Sequence, residues 1–122
     1  MDDFQKLYLR LLQSHKVKQC EYGHPPQLFG NKYVTLKNRK ILVRHILDRS
    51  DLGILVSSVK EREKWHDIAS VKAVCLDEKE ISLPQDIEQL NNWLIENWAQ
   101  VEHLFEDANR EKTKARIEVL GK

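Results

Sequence analysis

The stretch from Ser82 to Ala108 constrains this chain more than any other. Its apolar residues are Ile87, Leu90, Trp93, Leu94, Trp98, Val101, Leu104, Phe105 and Ala108. They keep the three-and-four spacing that places side chains on one face of an α-helix. At about 100° per residue they fall within an arc of roughly 140°. The pattern predicts one long helix with Ser82 as N-cap, Pro84 in its first turn and Gln85 at the reciprocal capping position. The opposite face carries Glu88, Asn92, Glu96, Glu102, His103 and Glu106. A stripe that broad must be buried, so the remainder of the chain has to supply a surface for it.

The rest of the sequence supplies strands and short helices. Asp3–Ser14 reads as a helix, with Phe4, Leu7, Tyr8, Leu11 and Leu12 on one side and acids at its start. From His15 to Asn31 the periodicity dissolves. Gly23, Pro25, Pro26 and Gly30 predict a loop over Glu21–Gly30, anchored by Leu28 and Phe29. Three strands are expected at Lys32–Leu36, Ile41–Leu47 and Ile54–Val59. The turns between them are Lys37–Lys40 and Asp48–Gly53, the second with Gly53 free for positive φ. Short polar turns imply an antiparallel meander. The middle strand is apolar on both sides, which predicts cover on both.

After the charged connection Lys60–Lys64, Asp67 is an N-cap candidate for a short helix over residues 67–76. Val71–Leu76 also reads as a strand, and the helix is favoured. Residues 110–122 have no apolar stripe, so they are expected to extend the helix into solvent or fray. The fold class expected is α+β: a single domain over 1–122, built as a three- or four-stranded antiparallel meander packed against a long C-terminal helix and a short N-terminal helix. Three strands are not stable alone and need such cover.

Composition narrows the function classes. No apolar run approaches the roughly 18 residues of a membrane span. The start, Met1-Asp2-Asp3, is not that of a signal peptide, which points to a cytoplasmic protein. Cys20 and Cys75 then read as reduced thiols. No C-x2-C or H-x3-H pair suggests zinc, and neither a metal nor a cofactor is expected. The net charge of +1 conceals an asymmetry. Between Ser14 and Ile46, Lys16, Lys18, Lys32, Lys37, Arg39, Lys40 and Arg44 face one acid, Glu21. Acids dominate from Leu76 to Asp107, against Lys79 alone. Such fields steer partners rather than set folds.

Three sites compete on this pattern. His45 and His66 form a conceivable acid–base pair for metal-independent RNA cleavage, with Lys40 or Arg44 holding the anion. Histidines without a local motif are mostly structural, so no catalytic residue is assigned. Lys32, Lys37, Arg39, Lys40 and Arg44, with Tyr33 to stack on a base, form a candidate nucleic-acid hairpin. A basic hairpin is more often a solvated edge that resists aggregation, so nucleic acid is not the expected partner. The third candidate is the acidic helix face. Glu88, Asn92, Glu96, Glu102 and Glu106, with Ile95 as an exposed apolar anchor, suit capture of a basic protein.

The order of elements adds a resemblance. A helix precedes a loop ending Leu28-Phe29-Gly30, and strands flank Leu47-Asp48-Arg49-Ser50-Asp51. Trp65-His66-Asp67-Ile68 then leads into a short helix, and a Trp-bearing amphipathic helix follows. From about Leu28 to Phe105 this arrangement is similar to small bacterial toxin-immunity proteins, including those of contact-dependent growth inhibition. The resemblance implies a non-enzymatic cytoplasmic inhibitor, an antitoxin that occludes one cognate toxin domain, often a nuclease. The alternative expectation is a nucleic-acid-binding protein or a ribonuclease using His45 and His66.

Overall fold

A computed structural model describes residues 2–14, 17–23, 31–82 and 86–121. The protein is α+β, with an antiparallel five-stranded sheet in the order β1-β2-β3-β4-β5. The strands are β1 (Lys18–Gly23), β2 (Lys32–Lys37), β3 (Ile41–Asp48), β4 (Asp51–Ser58) and β5 (His66–Asp67). The helices are α1 (Asp3–Ser14), α2 (Ile68–Cys75), α3 (Ile87–Glu96), α4 (Trp98–Leu104) and α5 (Arg110–Leu120).

Register fixes the two faces of the sheet. Val34 pairs with His45 and His45 with Ile54, while Leu36 pairs with Val43 and Val43 with Val56. These side chains share one face and join the core with Leu11 of α1, Ile68 and Val71 of α2, Leu94 of α3 and Val101 of α4. The other face carries Tyr33, Thr35, Leu42, Arg44, Ile46 and Leu55. Leu42 is also buried there, so the middle strand is apolar on both sides as its sequence implied.

α1 matches the sequence reading residue for residue. Asp2 and Gln5 close a reciprocal capping box, with Gln5 N donating to Asp2 Oδ1 at 2.8 Å and Asp2 N to Gln5 Oε1 at 3.3 Å. α2 is a helix rather than a strand because Asp67 caps it, accepting from Ala69 N at 2.8 Å. It ends on a Schellman pair: Asp77 N donates to Val74 O and Glu78 N to Ala73 O, with Asp77 at φ 56°.

Five expectations need correction. The long helix does not start at Ser82. Its N-cap is Asp86, whose carboxylate accepts from Glu88 N and Gln89 N. Pro84 and Gln85 lie outside the described residues. Nor is the helix continuous to Ala108. Asn97 leaves helical geometry at φ −116°, ψ 29° and caps α3, its backbone N and its Nδ2 both donating to Trp93 O at 2.9 Å. A further turn separates α4 from α5.

The chain before β2 is not all loop, because residues 18–23 pair with β2 as an edge strand. Leu28 and Phe29 lie outside the described residues. Gly53 is not in the second turn either. It pairs with Ile46 inside β4, and the turn is Arg49–Ser50, at φ 51° and 72°. Asn31 holds that turn, accepting from Arg49 N at 2.7 Å and donating to Asp48 Oδ1 at 2.8 Å. Finally, the tail expected to fray or extend α4 is the separate helix α5. Its Thr113 is 3% exposed and donates to Leu104 O at 2.7 Å.

Candidate functional site

The buried polar groups come first, because they decide whether the histidines are available. His45 is fully buried between β3 and the helices, and its Nε2 meets Asn91 Oδ1 at 2.9 Å. Asn91 donates its Nδ2 to Leu7 O at 3.1 Å, which leaves Oδ1 as the acceptor and places the proton on His45 Nε2. Burial pushes the His45 pKa from 6.5 down to about 4, opposed by the bond to Asn91. The imidazole is therefore neutral, and it ties the sheet to α3 and α1. It has no exposed surface to offer a substrate, which removes it from the expected His45–His66 pair. His66 instead stacks on Phe105, with ring centroids 5.7 Å apart. Burial and then the Lys114 charge hold its pKa below the usual histidine value.

The acidic residues divide into two groups. Glu88, Asn92 and Glu96 lie on α3 at intervals of four, a line along one helix face. Glu88 and Glu96 are exposed and make no ion pair among the described residues. Glu102 and Glu106 follow the break at Asn97 and turn to the β2–β3 hairpin. Asn38 Nδ2 donates to Glu102 Oε2 at 2.9 Å, and Lys40 Nζ approaches Glu106 Oε1 at 3.3 Å. Ile95 is half-buried against the core and is not the exposed anchor expected of it.

The basic residues divide as well. Arg44 is spent inside the fold. Its guanidinium sits between the Tyr33 and Trp65 rings, 4.3 and 4.4 Å from their centroids. It also donates to Thr35 Oγ1 at 2.9 Å and pairs with Glu21. Gly23 makes room for this stack, since a Cβ there would stand 2.0 Å from the Tyr33 ring. Lys32 pairs with Asp2. At the other end of the strands, Lys37, Arg39 and Lys40 border an open cleft of about 770 Å3, together with Lys18 and Arg62. The last two were not among the candidate residues. Lys18 was missed because β1 was taken for irregular chain, and Arg62 because it stands in a connection with no periodicity.

A charged clasp holds that connection. Glu61 receives Arg110 Nε at 2.9 Å and Lys114 Nζ at 2.8 Å, and Asp107 receives Lys60 Nζ at 2.7 Å. Lys114 first, then Arg110, keeps the Glu61 carboxyl below its ordinary pKa. Cys75 is a free thiol whose pKa burial raises, the opposite of an activated nucleophile. Among the described residues no three His, Cys, Asp or Glu side chains are grouped to hold a metal, and no helix is long and apolar enough to cross a membrane. Comparison with protein-family models, with curated proteins and with solved structures finds no match to this chain.

Proposed function

We propose that the protein is a binding module that neutralises a cognate toxin domain, a basic nuclease, by covering its active site. The observation that supports this most is the line of Glu88, Asn92 and Glu96 on α3. The far side of that helix is locked by Leu90, Asn91 and Leu94, so the carboxylates stand on a rigid support. A nuclease presents Lys and Arg to hold phosphates, and its cleft is complementary to carboxylates held in fixed positions. Glu102 and Glu106 contribute less than the residues of α3, because each already has a partner on the hairpin. Ile95 acts from behind, by fixing α3 on the core. The protein in this reading is not an enzyme and works in the cytoplasm beside its target.

The test is co-expression with the C-terminal toxin domain encoded by the neighbouring reading frame. Cells carrying the wild-type protein survive, and purified protein forms a complex with the domain in titration calorimetry. Absence of both complex and protection would refute the reading.

A further inference from the structure

The end of the sheet remote from the Arg49–Ser50 turn holds positive charge that the fold does not neutralise. Lys18 and Lys37 are direct cross-strand partners in the β1–β2 ladder. Like charges directly opposite each other destabilise a sheet. The other two cations on the strands, Lys32 and Arg44, each meet a carboxylate. Lys18 and Lys37 meet none among the described residues, and neither do Arg39 and Arg62 beside them. All four border the open cleft of about 770 Å3.

The hairpin tip that carries two of these cations is built firmly. Asn38 Oδ1 accepts from Lys40 N at 2.8 Å and from Ile41 N at 3.0 Å. The one acid in the cleft, Glu102, is occupied by Asn38 Nδ2 at 2.9 Å. Among the described residues the cleft's one apolar lining residue is Val59. A basic cleft with so little apolar surface among the described residues suits a partner held by charge alone. Clustered phosphates need only cations and an open path.

We propose that this cleft binds the phosphodiester backbone of single-stranded nucleic acid, with Lys18, Lys37 and Arg39 as its principal contacts and Arg62 at its margin. The anion relieves the Lys18–Lys37 repulsion, so binding and the unfavourable cross-strand pair have one explanation. The site is separate from the α3 carboxylates and does not depend on the toxin-neutralising reading.

The experiment is fluorescence anisotropy of a labelled twelve-nucleotide oligouridylate with the full chain. Three phosphate contacts predict about an eighteen-fold loss of affinity between roughly 50 and 200 mM salt. Lys18→Glu should weaken binding about tenfold or more while leaving the melting temperature unchanged or raised, since it replaces a like-charge pair with an opposite one. Arg49→Glu, in the turn at the far end of the sheet, should bind as wild type does. Wild-type protein that fails to bind the oligonucleotide at low salt would overturn the proposal, as would equal losses in the two variants. Displacement by poly-glutamate at equal charge would assign the cleft to an acidic protein instead. Displacement by tripolyphosphate at equal phosphate would assign it to a small polyphosphate, and either result rejects a nucleic-acid strand. Capture of the toxin domain by the Lys18→Glu variant separates failure here from failure of the α3 reading.

Discussion

His45 shows how one residue can look catalytic in sequence and be structural in the fold. Its alternation with Ile41, Val43 and Leu47 already placed it on the core face, but a histidine there reads equally as buried or as reaching for a cleft. The partner that decides the matter, Asn91, is 46 positions away, on a helix whose charged residues drew attention first. The consequence is a pH dependence of known sign. The folded pKa is depressed, so the unfolded chain binds the extra proton as pH falls below 6.5. Stability from this residue is complete above that value and is lost as pH drops through about 4. The loss reaches about 3 kcal/mol at most. Denaturant titrations at pH 7 and pH 4.5 should show it in wild type, and His45→Gln should flatten the difference. An equally steep fall in that variant would place the pH sensitivity elsewhere. Trp98 gives a second check at this scale. It is 8% exposed at the start of α4, so Trp98→Ala should cost about 3–5 kcal/mol in chemical denaturation.

The elements themselves were largely legible where periodicity ran long enough. α1 was set by five apolar residues and its acidic start, and β2 and β3 by β-branched runs around a polar tetrad. The break at Asn97 was not legible, because the apolar stripe passes through it without a lapse. The interruption is a departure of the Asn97 backbone from helical geometry, at φ −116° and ψ 29°, which no spacing of apolar residues marks. β1 was missed because an edge strand of six residues carries little alternation and sits among residues that favour loops. α5 was legible only as a helix-friendly tail, because it has no apolar stripe and is held by charge, by Thr113 and by Ile117 against the core. Thr113→Val should therefore cost about 1–2 kcal/mol by leaving Leu104 O without its donor. The β3–β4 turn predicts a gain instead. Arg49 and Ser50 both occupy positive φ, where Asn-Gly is preferred. The double substitution Arg49→Asn/Ser50→Gly should raise stability by about 1 kcal/mol. A lower melting temperature would mean that Arg49 or Ser50 has a role beyond the turn.

At the scale of the whole molecule, charge is sorted by position rather than by amount. The net charge is +1, yet carboxylates without an ion pair among the described residues stand on α3, and cations without one gather at one end of the sheet. The candidate acidic surface was legible as a helix face, and its exposed members Glu88 and Glu96 remain on it. Its division was not legible, because the contacts of Glu102 with Asn38 and of Glu106 with Lys40 join residues more than sixty positions apart. The proposed function rests on capture of a basic toxin domain by the α3 carboxylates. The most direct measurement is stopped-flow association of that domain with wild-type protein and with Glu88→Lys/Glu96→Lys. Both positions are exposed, so the variant should fold with an unchanged melting temperature. The variant's association rate should be about tenfold or more lower at low salt, and the wild-type rate should fall as salt is added. Equal rates for the two proteins at every salt concentration, with protection of cells intact, would contradict it.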